Sequence, residues 1–123
     1  MTIIEILGCI DSLKRNTYTQ IDKIAWLSDL DGKVKSMVID THEGGEDIPF
    51  TGYTAQTPLG TSLLVPAPYD DIYLRWLESQ INYHNGETQQ YNEAITMFNN
   101  AWTRFENWYN RTHMPIGHSI KYF

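Results

Sequence analysis

The chain has 123 residues, 41% of them hydrophobic, one cysteine and a formal net charge of −6. That length suits one domain, 1–123, with its own core, and a lone thiol excludes an internal disulfide. An acidic chain without a Lys/Arg block excludes affinity-driven DNA binding, which needs clustered positive charge, and no run nears the ~18 apolar residues of a membrane span.

Met1-Thr2-Ile3-Ile4-Glu5 lacks the basic start and apolar core of a signal peptide. Thr2-x-x-Glu5 instead has the form of a capping box, and Ile3, Ile6, Leu7, Ile10 and Leu13 follow helical spacing, which predicts a first helix over 3–14. Cys9 lies inside that run and reads as a buried, inert thiol. Asn16 to Thr19 form a break, with Thr17 or Thr19 able to cap a second helix over 20–41. Ile21, Ile24, Ala25, Leu27, Val34, Met37 and Val38 make its broad apolar face, and Asp29, Asp31, Lys33 and Lys35 its wet side. Gly32 in its middle suggests a kink or a close helix contact.

Residues 44–67 change character: glycines and prolines punctuate β-favouring Ile48, Phe50, Tyr53, Leu63, Leu64 and Val65. The expectation is a long extended arm, with or without a short β-hairpin, of the kind that serves function. Helical period returns over 69–84, with acids Asp70 and Asp71 at the positive end of the macrodipole. Asn85-Gly86 then marks either a hairpin turn or a kink in one long helix. From 87 to 112 the chain carries its strongest amphipathic signal, a helix of about 39 Å at about 1.5 Å per residue. Trp76, Phe98, Trp102, Phe105, Trp108 and Tyr109 are the expected core aromatics, and Trp102→Ala is expected to cost ~3–5 kcal/mol. Pro115 stops the helix, and a short mixed tail, 116–123, follows. The fold class is mainly all-α: four antiparallel, bundle-like helices with an arm between the second and third.

No catalytic motif emerges. Gly44-Gly45-Glu46-Asp47 matches cyclase signatures by letters alone and reads as a turn. His42, His84, His113 and His118 form no ligand-spaced pair, so no metal is expected, and no cofactor either. Asp70 and Asp71 read as helix-start acids rather than an acid/base pair, and Asn110-Arg111-Thr112 is a glycosylation triplet without export to give it meaning. The residues by themselves support a helical protein driven by interactions.

Two blocks carry a sharper resemblance. Asn16 to Val34 (NTYTQIDKIAWLSDLDGKV) resembles the amino-terminal helices of head–tail connector (adaptor, head-completion) proteins of tailed phages and prophages. The block from Leu64-Val65-Pro66-Ala67-Pro68-Tyr69-Asp70-Asp71, through Tyr91-Asn92 and Phe98-Asn99, to Trp108-Tyr109-Asn110-Arg111-Thr112-His113-Met114-Pro115 resembles structural proteins of Gram-positive prophages in the same group. The resemblance implies a virion subunit that closes with its copies into a ring, commonly about twelve-fold, between portal and tail, assembled in the bacterial cytoplasm. It implies no catalytic residue, DNA in passage only, and no membrane. Leu63, Leu64 and Val65 in the arm, with Tyr122 and Phe123 in the tail, are the expected subunit contacts. The alternative is a cytoplasmic helical protein-binding or regulatory module acting as monomer or dimer.

Overall fold

The structure, a computed structural model, describes residues 1–116. Helix α1 spans Ile3–Leu13 and opens with the expected capping box: the Glu5 amide donates to Thr2 Oγ1 (3.4 Å) and the Thr2 amide to Glu5 Oε1 (2.9 Å). Ile3, Ile6, Leu7 and Ile10 form its buried stripe. Cys9 is exposed, a correction to the buried thiol. One step along a helix turns a side chain by about 100°, which carries position 9 off the stripe that Ile10 occupies.

Helix α2 spans Gln20–Met37, and Thr19 is the residue that caps it, accepting from the Asp22 amide (3.1 Å). The expected end at 41 falls earlier, because a 3-10 turn takes over at Ile39–Thr41. The buried side of α2 is Ile24, Leu27, Leu30, Asp31 and Val34, with Lys23 at its head. Ile21 and Met37, expected on that face, stand 63% and 58% exposed, while Asp31, expected in water, is fully buried. Lys23 is tolerated inside because its ammonium meets Asp11 on α1 at 2.7 Å, and that ammonium holds the Asp11 carboxyl below its usual range. A Cβ at Gly32 would meet nothing nearby, so no close helix contact depends on that glycine.

Helices α3 (Asp71–Asn85) and α4 (Thr88–Thr112) form a hairpin rather than one kinked rod. Gly86 sits at φ 76°, in the left-handed region, and its amide donates to Tyr83 O (3.1 Å) while the Glu87 amide donates to Asn82 O (2.9 Å). These paired bonds close the last carbonyls of α3 in a Schellman motif. Helix α3 starts two residues later than expected, since Pro66 to Tyr69 make a turn in which the Tyr69 amide donates to Pro66 O (2.9 Å). The chain is mainly helical, with α3 as the shared partner: α4 pairs along it, and α1 and α2 pack against it. An ion pair from Arg104 on α4 to Asp71 on α3 (2.9 Å) pins the open end of the hairpin.

The arm contains no strand among the described residues. Its backbone is spent on distant chain instead. Thr2 and Ser62 form an antiparallel bridge. Around it the Leu63 amide donates to Met1 O (2.9 Å), Ile3 to Thr61 O (3.1 Å) and Ile4 to Leu59 O (2.9 Å). A second bridge, His42 to Pro115, ties the end of the α2 region to the chain leaving α4. There Glu43 donates to Met114 O (2.8 Å) and Ile116 to Thr41 O (2.9 Å).

Gly44 and Gly45 belong to this second junction and to a 3-10 turn, Gly45–Asp47. A Cβ on Gly45 would lie 2.4 Å from Ile39 O and 3.0 Å from the Asp40 Cα, both backbone atoms. Gly45→Ala should therefore lower stability by about 1–3 kcal/mol through forced displacement of the turn, read by urea melt. Gly60→Ala, where nothing lies within 4 Å, is the matched control and should stay near zero.

Candidate functional site

The most unusual local chemistry is a buried carboxylate that fastens the arm. Asp31 lies on the core-facing side of α2, four residues after Leu27 and three before Val34. Its Oδ2 accepts from Tyr53 Oη (2.5 Å) and from the Leu64 amide (3.1 Å), and its Oδ1 accepts from Tyr73 Oη (2.6 Å). The Tyr73 hydroxyl in turn accepts the Val65 amide at 2.7 Å. One carboxylate thus holds both halves of the arm, through Tyr53 and through Leu64, and links them to α3 through Tyr73.

No cation is among these partners. Burial raises the Asp31 pKa, although the two tyrosine hydroxyls and the Leu64 amide pull the other way. Burial, with the facing carboxylate, also pushes both Tyr53 and Tyr73 upward, so each phenol remains an O–H donor. Three donors on one acceptor fix geometry; the node works as a fastening for the arm. A nearby bond, from the Tyr53 amide to Ser28 Oγ (3.0 Å), adds a further tie to α2.

This fastening relocates the expected subunit-contact residues. Leu63 is 6% exposed and Val65 fully buried, both within this chain's own core, and Leu64 is half-buried with its amide on Asp31. The arm faces inward because its backbone donors are claimed by Asp31 and Tyr73, which turns Leu63 and Val65 toward the helices. Leu63 and Val65 are therefore not presented to a neighbour by this fold. Tyr122 and Phe123 lie outside the described residues.

No protein-family model, curated protein or solved structure matches the chain. What the site does must be read from its own geometry.

The expected core aromatics divide into two groups. Phe98, Phe105 and Tyr109 are buried, while Trp76, Trp102 and Trp108 are half-buried and pack on the core from its rim. Each rim indole has a specific seat. Trp76 donates from Nε1 to Trp26 O (2.8 Å) and carries the Lys33 ammonium 4.8 Å above its ring. Trp108 stacks on Tyr69 at 5.2 Å. Trp102 borders a cleft of about 190 Å³ with Lys33, Met37 and Asn99. Lysine and indole edges at this rim keep polar groups wet while apolar area is covered.

His42 is a second buried polar residue that the sequence did not single out as structural. Its Nδ1 lies 2.6 Å from Val38 O, its Nε2 lies 2.7 Å from Asn110 Oδ1, and its ring meets Tyr109 edge-on at 4.8 Å. It joins the 3-10 turn after α2 to the last turns of α4. His113 stacks flat on Tyr109 (3.9 Å) and His84 on Trp26 (5.3 Å), while His118 lies outside the described residues. Among the described residues no three His, Cys, Asp or Glu side chains converge as a metal site, and no helix is long and apolar enough to cross a membrane.

Proposed function

We propose that this chain is a virion assembly subunit of the phage head–tail connector type, closing with copies of itself into a ring between portal and tail. The observation that carries the reading is the distribution of exposed apolar side chains. Ile4 and Leu13 stand out on α1, Ile21 and Met37 on α2, Met97 on α4, and Met114 and Ile116 beyond it. A two-fold dimer needs one self-complementary patch, whereas a ring subunit meets one neighbour with one surface and the next with another. Apolar residues on several elements at once favour the ring. The net charge of −6 suits a passage through which DNA slides without adhering.

Within this reading the arm is an internal strap that shapes the subunit, and the neighbours meet on the α1 and α2 surfaces together with Tyr122 and Phe123. The subunit binds and positions rather than catalyses, and its place is the virion. Mass by light scattering, alone and then mixed with the portal protein of the same genome, tests this. A ring-sized species, or a complex formed only with portal, is the expected result. A monomer or dimer indifferent to portal would transfer the assignment to a cytoplasmic helical binding or regulatory module.

A further inference from the structure

Two apolar surfaces of the chain lie on different sides of α3. On one side α1 presents Ile4 and Leu13, 49% and 48% exposed. The small residues Gly8, Cys9 and Ser12 lie between them, and Leu74 of α3 completes an open hollow. On the other side α2 and α4 both pack on α3 and leave a cleft of about 190 Å³. Lys33 and Met37 wall it from α2, and Phe98, Asn99 and Trp102 from α4. Trp76 of α3 joins the two walls, with its ring 4.8 Å from the Lys33 ammonium and 5.0 Å from the Phe98 ring. Positions 74 and 76 differ by about 200° around a helix that turns about 100° per residue, so the two surfaces face roughly opposite ways.

The surfaces match in shape. A Cβ at Gly8 would meet nothing within 4 Å, so the middle of the α1 ridge is low and open. Met37 protrudes, 58% exposed. A protruding side chain set over a low point of a facing helix lets the two helices approach closely. The charges match as well. Helix α1 carries Glu5 and Asp11 and no basic residue. Asp11 is taken by Lys23, whereas Glu5 uses only Oε1, in the capping box, and stands exposed. Among the described residues Lys33 is in no ion pair.

Lys33 precedes Met37 by four residues on α2, and Glu5 precedes Cys9 by four on α1. Both spacings are about 6 Å at about 1.5 Å per residue, so one parallel crossing satisfies both. Two α1 ridges set against each other would instead oppose acids with no base between them. Because ridge and cleft face opposite ways, a two-fold pair cannot engage both at once, and the contact propagates from copy to copy.

We propose that the α1 ridge of one copy seats in the α2–α4 cleft of the next, with Met37 over Gly8 and Cys9 and Lys33 paired to Glu5. Ile4, beside Glu5, then enters the cleft against Trp102. This contact rests on the ring assembly proposed above and specifies how its copies join.

Cys9, the single cysteine of the chain, stands exposed on the ridge and makes the contact testable by cross-linking. Wild type is mixed with an affinity-tagged Cys9→Ser/Asn99→Cys chain, whose thiol borders the cleft, and oxidised with copper phenanthroline. A disulfide-linked heterodimer should dominate over either homodimer on a non-reducing gel. Cys9→Ser/Gln56→Cys, with its thiol exposed on the arm, sets the background of random collision. Cys9→Ser/Met37→Cys repeats the test from the α2 wall and serves if the Asn99 variant does not fold. Lys33→Glu added to the tagged chain sets like charges together and should lower the heterodimer yield about tenfold. Heterodimer at background level, a Cys9–Cys9 homodimer in equal amount, or a yield untouched by Lys33→Glu would overturn the contact. Light scattering keeps the two readings apart. Rings that give no heterodimer would remove this contact and leave the assembly. A heterodimer without a ring-sized species would support the contact and remove ring closure.

Discussion

Asp31→Ala should destabilise the chain by about 3–5 kcal/mol, because it strips the acceptor from three donors in or beside the core. Asp31 is fully buried, and its carboxylate takes the Tyr53 and Tyr73 hydroxyls and the Leu64 amide. Asp31→Asn keeps the shape but turns an NH₂ toward a donor, and should cost about 1–3 kcal/mol. Hydrogen exchange gives the local reading: the Leu64 and Val65 amides should lose protection in either variant, well before the α3–α4 hairpin does. A melt unchanged by Asp31→Ala would mean that the arm is not fastened there.

The pH dependence of the same residue has a definite sign. Burial raises the Asp31 pKa in the folded chain above its ordinary 3.8. The folded state therefore binds the proton more tightly than the unfolded one, so stability from this group rises as pH falls through the raised value and levels off below the ordinary one. Asp11 works oppositely. Its carboxyl is lowered by Lys23, so that contribution is present above the ordinary value and lost as pH falls through the lowered one. The difference in unfolding free energy between wild type and Asp31→Asn isolates the first effect. It should widen in favour of wild type as pH falls toward 3.8. A difference that narrowed instead would mean that the hydrogen bonds outweigh burial and the native pKa is lowered.

The second large effect separates two aromatics of α4. Phe105 is 1% exposed and packs against Trp108 and Tyr109 (6.2 and 5.7 Å), so Phe105→Ala should cost about 3–5 kcal/mol, the loss of a buried ring plus the cavity it leaves. Trp102 lies half-buried at the rim, with Phe98 at 6.2 Å as its aromatic neighbour. Its truncation exposes a cleft that water can enter, so Trp102→Ala should cost about 1–2 kcal/mol, less than the ~3–5 kcal/mol of a fully buried ring. Parallel chemical melts decide the order. Equal losses would place Trp102 inside a core shared with another element.

Helix position was legible because it depends on near neighbours. The Thr2-x-x-Glu5 box, the Thr19 cap, the stop at Pro115 and the three-and-four spacing of α4 each act within a turn or two of chain. The four helices consequently fall within a few residues of their expected bounds. Asn85-Gly86 marked a break without choosing hairpin or kink, since that choice depends on whether α4 finds partners on α3 that offset the turn. Arg104 to Asp71 and the aromatic contacts of Trp76 with Phe98 supply them.

Asp31 shows where reading residue by residue failed although the signal was present. It sits on the Leu27–Val34 stripe, and residue type alone assigned it to water. The donors that make its burial tolerable come from Tyr53, Leu64 and Tyr73, far away in sequence, and nothing in the local pattern announces them. The inward turn of Leu63 and Val65 has the same origin, as does the burial of His42 between Val38 and Asn110.

The sequence by itself determined the class of fold, the helix starts and stops, and the acidic charge balance, because capping, periodicity and charge are local or additive properties. Only the tertiary structure decided which face of α2 is buried, where the arm lies and which apolar residues are left outside. Those outcomes turn on long-range hydrogen bonds to a few buried polar groups, whose cost is met only when the whole chain has closed around them.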